Sequence, residues 1–80
     1  MKTLKLTKYN DPGHGWLRVS KTLLQKLGVS TTSYSYETKT YGYLEEDCDA
    51  PKFLSAARAA GYEIEVVNKY TNKPSHIRRY

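Results

Sequence analysis

The chain has 80 residues, of which 39% are hydrophobic and 26% are charged, and its formal net charge is +5. This length suits one small domain, and the composition is ordinary for a globular fold. No apolar run is long enough to predict a membrane-spanning helix, and residues 1–6 are polar at every other position, which argues against a signal peptide. Cys48 is the single cysteine, so no internal disulfide is expected, and we predict a reducing, cytoplasmic compartment.

Positive and negative charges fall in separate stretches of the sequence. Four acidic residues stand within 45–49, and four basic residues stand within 69–80. A chain with separate patches can attract an anionic partner to one of them and exclude it from the other. Alternatively, both patches are solvated faces, or they neutralise each other within a dimer.

Two strands joined by a tight turn are predicted at the start of the chain. Residues 3–9 place Leu4 and Leu6 on one face and polar residues on the other, which indicates a strand. The hexapeptide DPGHGW follows at 11–16, and a short second strand is predicted at 16–19.

The turn between these strands contains two glycines, a histidine and the single tryptophan. Pro12 sets φ at the first corner, and we expect Gly13 and Gly15 to adopt the positive φ that most residues avoid. Backbone N–H groups can then approach a phosphate closely, beside His14 and Trp16. The alternative is a sharp β-turn in which Trp16 is simply part of the core.

A short helix is predicted directly after the second strand. Ser20 has the character of an N-cap residue, and the leucines within 23–27 form one apolar stripe. Gly28 is expected to end the helix. So short a helix is stable only when it packs on the sheet.

The tyrosine-rich part of the chain contains two segments that alternate with period two. We predict a hairpin with its turn centred on residues 38–39, which pairs Tyr36 with Tyr41 and Tyr34 with Tyr43. All four rings would lie on one face of the sheet. Because four phenols are too polar for a closed core, we expect a half-exposed face that can stack a base or bury a side chain of a partner. The alternative is a face covered by a helix, with the hydroxyls at its rim.

A second helix and a final strand are predicted next. Asp49 is expected to cap the helix, with Pro51 in its first turn and Gly61 after its end. The strand at 62–67 alternates strongly between apolar and polar residues. The apolar face of the helix is assigned to Phe53, Leu54, Ala57 and Ala60.

The end of the chain is assigned to a basic C-terminal arm, residues 68–80, distinct from a core domain of residues 1–67. Such an arm is either frayed or becomes ordered on a partner. Because a disordered tail has no use for Ile77 and Tyr80, we expect the arm to dock on its own domain or on a second subunit. Once docked, Arg78 and Arg79 can clamp a phosphate or a carboxylate.

No catalytic motif stands out in the sequence. Cys48 could form a nucleophile pair with His14 or His76, but its place ahead of the second helix suits packing, and we expect it to be core or partly buried. Asp11, His14 and a carboxylate within 45–47 could ligate a metal if the turn folds over the acidic stretch. The helix dipole explains those carboxylates without a metal. We therefore predict no enzyme activity, no metal and no cofactor, with a small hydrolase built around His14 as the alternative.

Three stretches of the chain resemble a family of small accessory proteins of tailed bacteriophages and prophages. They are DPGHGW at 11–16, YLEEDCDA at 43–50 and YTNKPSHIRRY at 70–80, and the resemblance spans nearly the whole chain. The family comes without an assigned activity or catalytic residues, so it implies no role for any single residue. It implies a bacteriophage product made in the bacterial cytoplasm, and many small phage proteins of this kind disarm host defences.

The predicted fold is α+β: a small single domain with an antiparallel sheet of four to five strands and two short helices packed on one face. The predicted function is that of a non-enzymatic phage accessory protein that binds and neutralises a host factor, through a nucleotide or another phosphate-bearing ligand. The alternative is a protein inhibitor of a host defence nuclease or effector.

The expected partners are a nucleotide, a nucleic acid or a bacterial host defence protein, acting in the host cytoplasm and away from membranes. A homodimer is among the expected assemblies, because so small a chain gains core by pairing. Gly13 and Gly15 are expected to shape the turn. The predicted ligand-binding residues are His14, Trp16, Tyr34, Tyr36, Tyr41, Tyr43, Lys73, His76, Arg78 and Arg79.

Overall fold

Five strands and two helices occupy residues 2–31 and 35–71, the parts of the chain that the computed structural model describes. They form one α+β unit, as predicted. The strands are β1 (Lys2–Asn10), β2 (Gly15–Ser20), β3 (Tyr36–Glu37), β4 (Tyr41–Glu45) and β5 (Tyr62–Tyr70), and the helices are α1 (Lys21–Lys26) and α2 (Asp49–Ala59).

The five strands form one mixed sheet in the order β3-β4-β2-β1-β5. Pairing is antiparallel between β1 and β2, β2 and β4, and β3 and β4, but β5 runs parallel to β1. The prediction of an antiparallel sheet is therefore wrong at this strand. The reason is that α2 carries the chain back along the sheet after β4, so that the strand which follows runs in the same direction as β4 and β1.

Both helices pack on the same face of the sheet. Leu24 of α1 and Phe53 of α2 join Leu17, Val19 and Leu44 in one buried core. Leu17 and Val19 alternate along β2 with residues on the opposite face, as the period of a strand requires. The main core therefore lies between the helices and one side of the sheet, and the other side has no helix among the described residues.

The ends of α1 confirm the sequence prediction. The Ser20 hydroxyl accepts the backbone N–H of Leu23 at 3.2 Å. Beyond the helix, Gly28 has φ of +67°, a conformation that a glycine adopts without a steric penalty. These two residues fix the length of α1.

The start of α2 differs from the prediction. Cys48 occupies the N-cap position, and Asp49 is the first residue of the helix. Cys48 is exposed, not in the core, whereas Asp49 is fully buried. Ala60 is exposed as well, at the C-cap position that follows the last residue of α2. Gly61 follows with φ of +91°, as expected for the residue after a helix.

The hairpin of β3 and β4 has a different register from the predicted one. Tyr36 lies opposite Tyr43 and not opposite Tyr41. The turn is closed by Thr38, which donates its backbone N–H to the carbonyl of Tyr41 and accepts the N–H of Tyr41 on its hydroxyl. The partner of Tyr36 shifts by two residues, which leaves all three rings on one face. Tyr34 lies outside the described residues.

The last strand is longer than predicted. β5 continues through Tyr70, and the N–H of Thr71 donates to the carbonyl of Asn10 at 3.0 Å. The first residues assigned to the C-terminal arm therefore lie in the sheet, and Lys73, His76, Arg78 and Arg79 lie outside the described residues. No helix within 2–31 and 35–71 is long and apolar enough to span a membrane.

Candidate aromatic and cationic site

The face of the sheet opposite the helices carries a cluster of aromatic side chains. Trp16 and Tyr43 form its base and are only 2% and 5% exposed. Tyr9, Tyr36 and Tyr41 pack against them and are partly exposed. We refer to these five residues as the aromatic face. It follows from alternation, because Trp16 precedes Leu17 on β2 and so points away from the helices.

The rings of the aromatic face contact each other at an angle and are not stacked in parallel. The ring centres of Trp16 and Tyr36 lie 5.9 Å apart in an edge-to-face arrangement, and those of Tyr9 and Tyr43 lie 6.1 Å apart. Such tilted contacts favour the quadrupoles of the rings. The buried rings of Trp16 and Tyr43 thereby hold the more exposed tyrosines in place.

Arg18 lies in the middle of this face. Its guanidinium carbon is 4.8 Å from the ring centre of Tyr41 and 5.6 Å from that of Tyr9, within the range of cation–π attraction. Among the ion pairs of the described residues, none includes Arg18. The guanidinium is therefore positioned by aromatic rings, while its N–H groups are not engaged by any described carboxylate.

A second cation stands at the edge of the aromatic face. The ammonium of Lys69 lies 6.0 Å from the ring centre of Tyr9. Lys69 is paired with Tyr9 in the parallel register of β1 and β5, and it is exposed. Arg18 and Lys69 therefore approach the same tyrosine ring and place two positive charges beside it.

The DPGHGW turn is shaped by an aspartate, contrary to the predicted role of its glycines. One carboxylate oxygen of Asp11 accepts the backbone N–H groups of Gly13 and His14, at 3.0 and 2.9 Å. Neither Gly13 nor Gly15 has a positive φ. The turn is thus closed by a side chain that folds back on its own backbone. Because these two N–H groups already have an acceptor, they are not a preformed phosphate cradle.

Gly15 is favoured for a different reason, which is that three side chains cover it closely. A Cβ atom at this position would lie 2.7 Å from Asn10 Oδ1 and Lys8 Cε and 2.8 Å from Glu46 Oε2. Lys8 and Glu46 form an ion pair at 2.9 Å directly above it. A side chain at this position would have to push aside the ends of these three flexible side chains.

The turn lies next to the acidic stretch, which is the arrangement that the hypothesis of a metal site required. His14 is half-exposed, and its Nδ1 is 3.7 Å from Oε1 of the largely buried Glu45. The imidazole centre is 6.1 Å from the indole of Trp16. His14 therefore stands between the edge of the aromatic face and a carboxylate, with enough exposure to reach a ligand.

The acidic stretch is the described group of side chains closest to a metal-binding arrangement. Carboxylate oxygens of Glu45, Glu46 and Asp47 lie within 4.8 Å of one another. The ammonium of Lys8 already pairs with Glu46, and the imidazole of His14 lies beside Glu45. Glu45 also accepts the backbone N–H of Asp47 at 2.9 Å. These contacts give the stretch a structural role at the start of α2.

Cys48 is poorly suited to act as a nucleophile. The pKa of its thiol is raised. The largest cause is partial loss of hydration, followed by a hydrogen bond to Glu45 and by the negative charges of Glu45, Asp49 and Asp47. The thiolate is the reactive form of cysteine. A raised pKa keeps the group protonated near neutral pH, which is the opposite of what catalysis needs.

The structure brings together five of the predicted ligand-binding residues: His14, Trp16, Tyr36, Tyr41 and Tyr43. Sequence reasoning missed Tyr9, Arg18 and Lys69. A signal for Arg18 was present, because Trp16 and Arg18 are two residues apart in a predicted strand and must share a face. Tyr9 and Lys69 could not be placed without the strand pairing, since both reach the site through non-local register.

Comparisons of the chain with protein-family models, with curated proteins and with solved structures gave no match.

Proposed function

We propose that the aromatic face binds a phosphate-bearing ligand that also carries a base, either a nucleotide or a short stretch of nucleic acid. The observation that supports this is the position of Arg18 between the rings of Tyr9 and Tyr41, with no described carboxylate paired to it. An arginine held in this way keeps its planar set of N–H donors for an external anion.

The geometry suggests how the ligand would be held. The guanidinium carbon lies over the rings of Tyr9 and Tyr41. The N–H groups turned away from these rings can donate two parallel hydrogen bonds to a phosphate. Partly exposed Tyr36 and Tyr41 offer π surfaces for a base. Lys69 adds a positive charge beside Tyr9, and His14 offers a further polar contact at the opposite edge.

We also propose a biological setting, which rests on the resemblance to phage accessory proteins. In that setting the chain is a non-enzymatic bacteriophage product in the host cytoplasm. It neutralises a host defence factor by sequestering a phosphate-bearing ligand on the aromatic face. A protein inhibitor of a host nuclease or effector is the competing hypothesis, and it makes no use of Arg18 as a phosphate ligand.

The test is a binding titration with defined probes, carried out on the full chain. ATP, GTP and a fluorescent single-stranded oligonucleotide would be titrated at several salt concentrations, with wild type and with Arg18→Ala, Arg18→Lys and Arg58→Ala. Arg58 is the matched control, because it is an exposed arginine on α2, across the sheet from the aromatic face.

We expect affinity for at least one probe that falls as salt rises. Arg18→Ala should weaken it by about tenfold or more, because a charge-assisted hydrogen bond contributes roughly 1.5–3 kcal/mol. Arg18→Lys should restore only part of the affinity, since lysine lacks the planar fork. Equal loss with Arg58→Ala would indicate non-specific attraction to a basic protein. No binding of any probe would favour the protein-inhibitor hypothesis.

A further inference from the structure

The outer strand β5 has a free hydrogen-bonding edge within the described part of the chain. It pairs with β1 on one side only, and no strand within 2–31 or 35–71 lies on its other side. The N–H of Thr71 donates to the carbonyl of Asn10, so the backbone of odd-numbered residues faces β1. Because successive residues face opposite edges, the N–H and C=O groups of the even-numbered residues from Tyr62 to Tyr70 point outward.

This edge has the properties of a pairing surface. β5 is nine residues long and contains no proline. Val66, Val67 and Tyr70 are 37%, 39% and 79% exposed, the large hydrophobic side chains most open to solvent in the described residues. Long, apolar edge strands pair readily with another strand unless charges prevent it.

The charges of β5 are ordered along the strand in a way that makes it complementary to itself. Glu63 and Glu65 stand in its first half, and Lys69 stands in its second half. All three lie on the face that also carries Tyr9. When such a strand meets a reversed copy, the acidic half of each lies against the basic half of the other.

We propose that β5 pairs antiparallel with β5 of a second copy of this chain, about a two-fold axis at Val66. In this register Glu63 lies opposite Lys69 of the partner subunit, and Tyr62 lies opposite Tyr70 of the partner subunit. The outward backbone groups of Val66 meet those of its symmetry mate as a hydrogen-bonded pair. Glu63 and the partner's Lys69 form a pair without backbone hydrogen bonds, where opposing side chains come closest.

Other registers of the same pairing are less favourable. With the axis at Glu65, this carboxylate lies opposite Glu65 of the partner subunit. With the axis at Ile64, Glu63 lies opposite Glu65 of the partner subunit. Like charges directly opposite each other destabilise a sheet. An axis at Val67 avoids this but takes Tyr62 out of the paired region, whereas an axis at Val66 pairs the whole strand. The sheets then join with all helices on one side and both aromatic faces on the other.

The test measures the mass of the full-length protein by sedimentation velocity over a range of concentrations. Wild type is compared with variants in which charges of β5 are reversed. Wild type should sediment as a dimer that dissociates on dilution. Lys69→Glu and Glu63→Lys should each raise the dimer dissociation constant by about tenfold or more, because each places two pairs of like charges across the interface. The double variant Glu63→Lys with Lys69→Glu should restore the dimer, because it re-forms the same pairs with reversed signs.

Two comparisons make the result specific. Arg58→Glu makes the same change in net charge as Lys69→Glu, but on α2 and outside the interface, and should leave the dimer intact. Restoration by Glu65→Lys with Lys69→Glu, and not by the Glu63 pair, would overturn the register in favour of an axis at Val67. Wild type that is monomeric at every concentration would overturn the proposal and leave this edge to a strand of another protein. A dimer that no β5 variant weakens would also overturn it, because the interface would then lie elsewhere. The readout is mass, so it is independent of whether the aromatic face binds a ligand.

Discussion

The guanidinium of Arg18 lies 4.8 Å from the ring centre of Tyr41, on the face of the sheet that the helices leave open. The two residues belong to neighbouring strands, β2 and β4. The residue directly opposite Arg18 is Tyr43, which follows Tyr41 by two positions on β4. The contact is therefore diagonal across the strand pair. It fixes the orientation of a long side chain that would otherwise sample many rotamers.

This contact predicts that ligand binding depends on the ring of Tyr41 and not on its hydroxyl. Tyr41→Phe should leave affinity for the phosphate-bearing probe within about twofold of wild type, because the π surface under the guanidinium is retained. Tyr41→Ala should weaken it by roughly three- to tenfold, as expected when a cation–π contact of about 0.7–1.4 kcal/mol is removed. The same titration used for Arg18 measures both. An equal loss in the two variants would show that the hydroxyl, and not the ring, holds the ligand or the arginine.

A second prediction separates the two glycines of the turn. Gly15→Ala should lower the free energy of unfolding by roughly 0.5–1 kcal/mol, because its Cβ must push aside the flexible ends of Lys8, Asn10 and Glu46 and disturb the Lys8–Glu46 ion pair. Gly13→Ala should change it by less than about 0.5 kcal/mol, since Gly13 is exposed and its φ is not positive. Urea unfolding of both variants provides the measurement. Similar destabilisation at the two positions would mean that backbone freedom, and not crowding, sets the requirement for glycine.

The features that the sequence predicted correctly depend on local interactions. Ser20 and Gly28 bound α1 through contacts a few residues apart, and Gly61 ends α2 in the same way. The shared face of Tyr36, Tyr41 and Tyr43 follows from alternation alone. Such features need no knowledge of which strands meet.

The features that the sequence did not predict depend on distant pairing. The parallel direction of β5 follows from where α2 returns the chain, which alternation within residues 62–67 cannot reveal. Alternation fits two registers of the hairpin that keep the same rings on one face, and the predicted register was wrong. The hydrogen bonds between Thr38 and Tyr41 set the other one. Tyr9 and Lys69 reach the site only because β1 and β5 are neighbours.

A third prediction concerns the reactivity of Cys48. Because the pKa of its thiol is raised, a smaller fraction is thiolate at a given pH, and alkylation by iodoacetamide at pH 8 should be slower than for a free cysteine. Glu45→Gln should lower the pKa and speed the reaction several-fold, since it removes a negative charge that opposes deprotonation. The rate would be followed by mass spectrometry from pH 7 to pH 10. A rate at pH 7 above that of free cysteine would indicate a stabilised thiolate and would return Cys48 to consideration as a nucleophile.

A fourth prediction concerns the hydroxyl of Ser35, which joins three parts of the fold. It donates to Oδ2 of the buried Asp49 and accepts the backbone N–H of Glu45 at 3.0 Å. Ser35→Ala removes both contacts, so the carboxylate of Asp49 and the backbone N–H of Glu45 lose this partner. Loss of a hydrogen bond to a buried carboxylate costs roughly 1.5–3 kcal/mol, so the free energy of unfolding should fall by about that amount.

The matched control is Ser55→Ala, a serine on the exposed side of α2. Alanine is the better helix former, so this variant should be neutral or slightly stabilising, by a few tenths of a kcal/mol at about 25 °C. Urea unfolding at neutral pH compares the two. Equal stability of Ser35→Ala and wild type would mean that the contact between Ser35 and Asp49 is not needed to hold α2 against β4, and that the packing of Phe53 and Ala57 is sufficient.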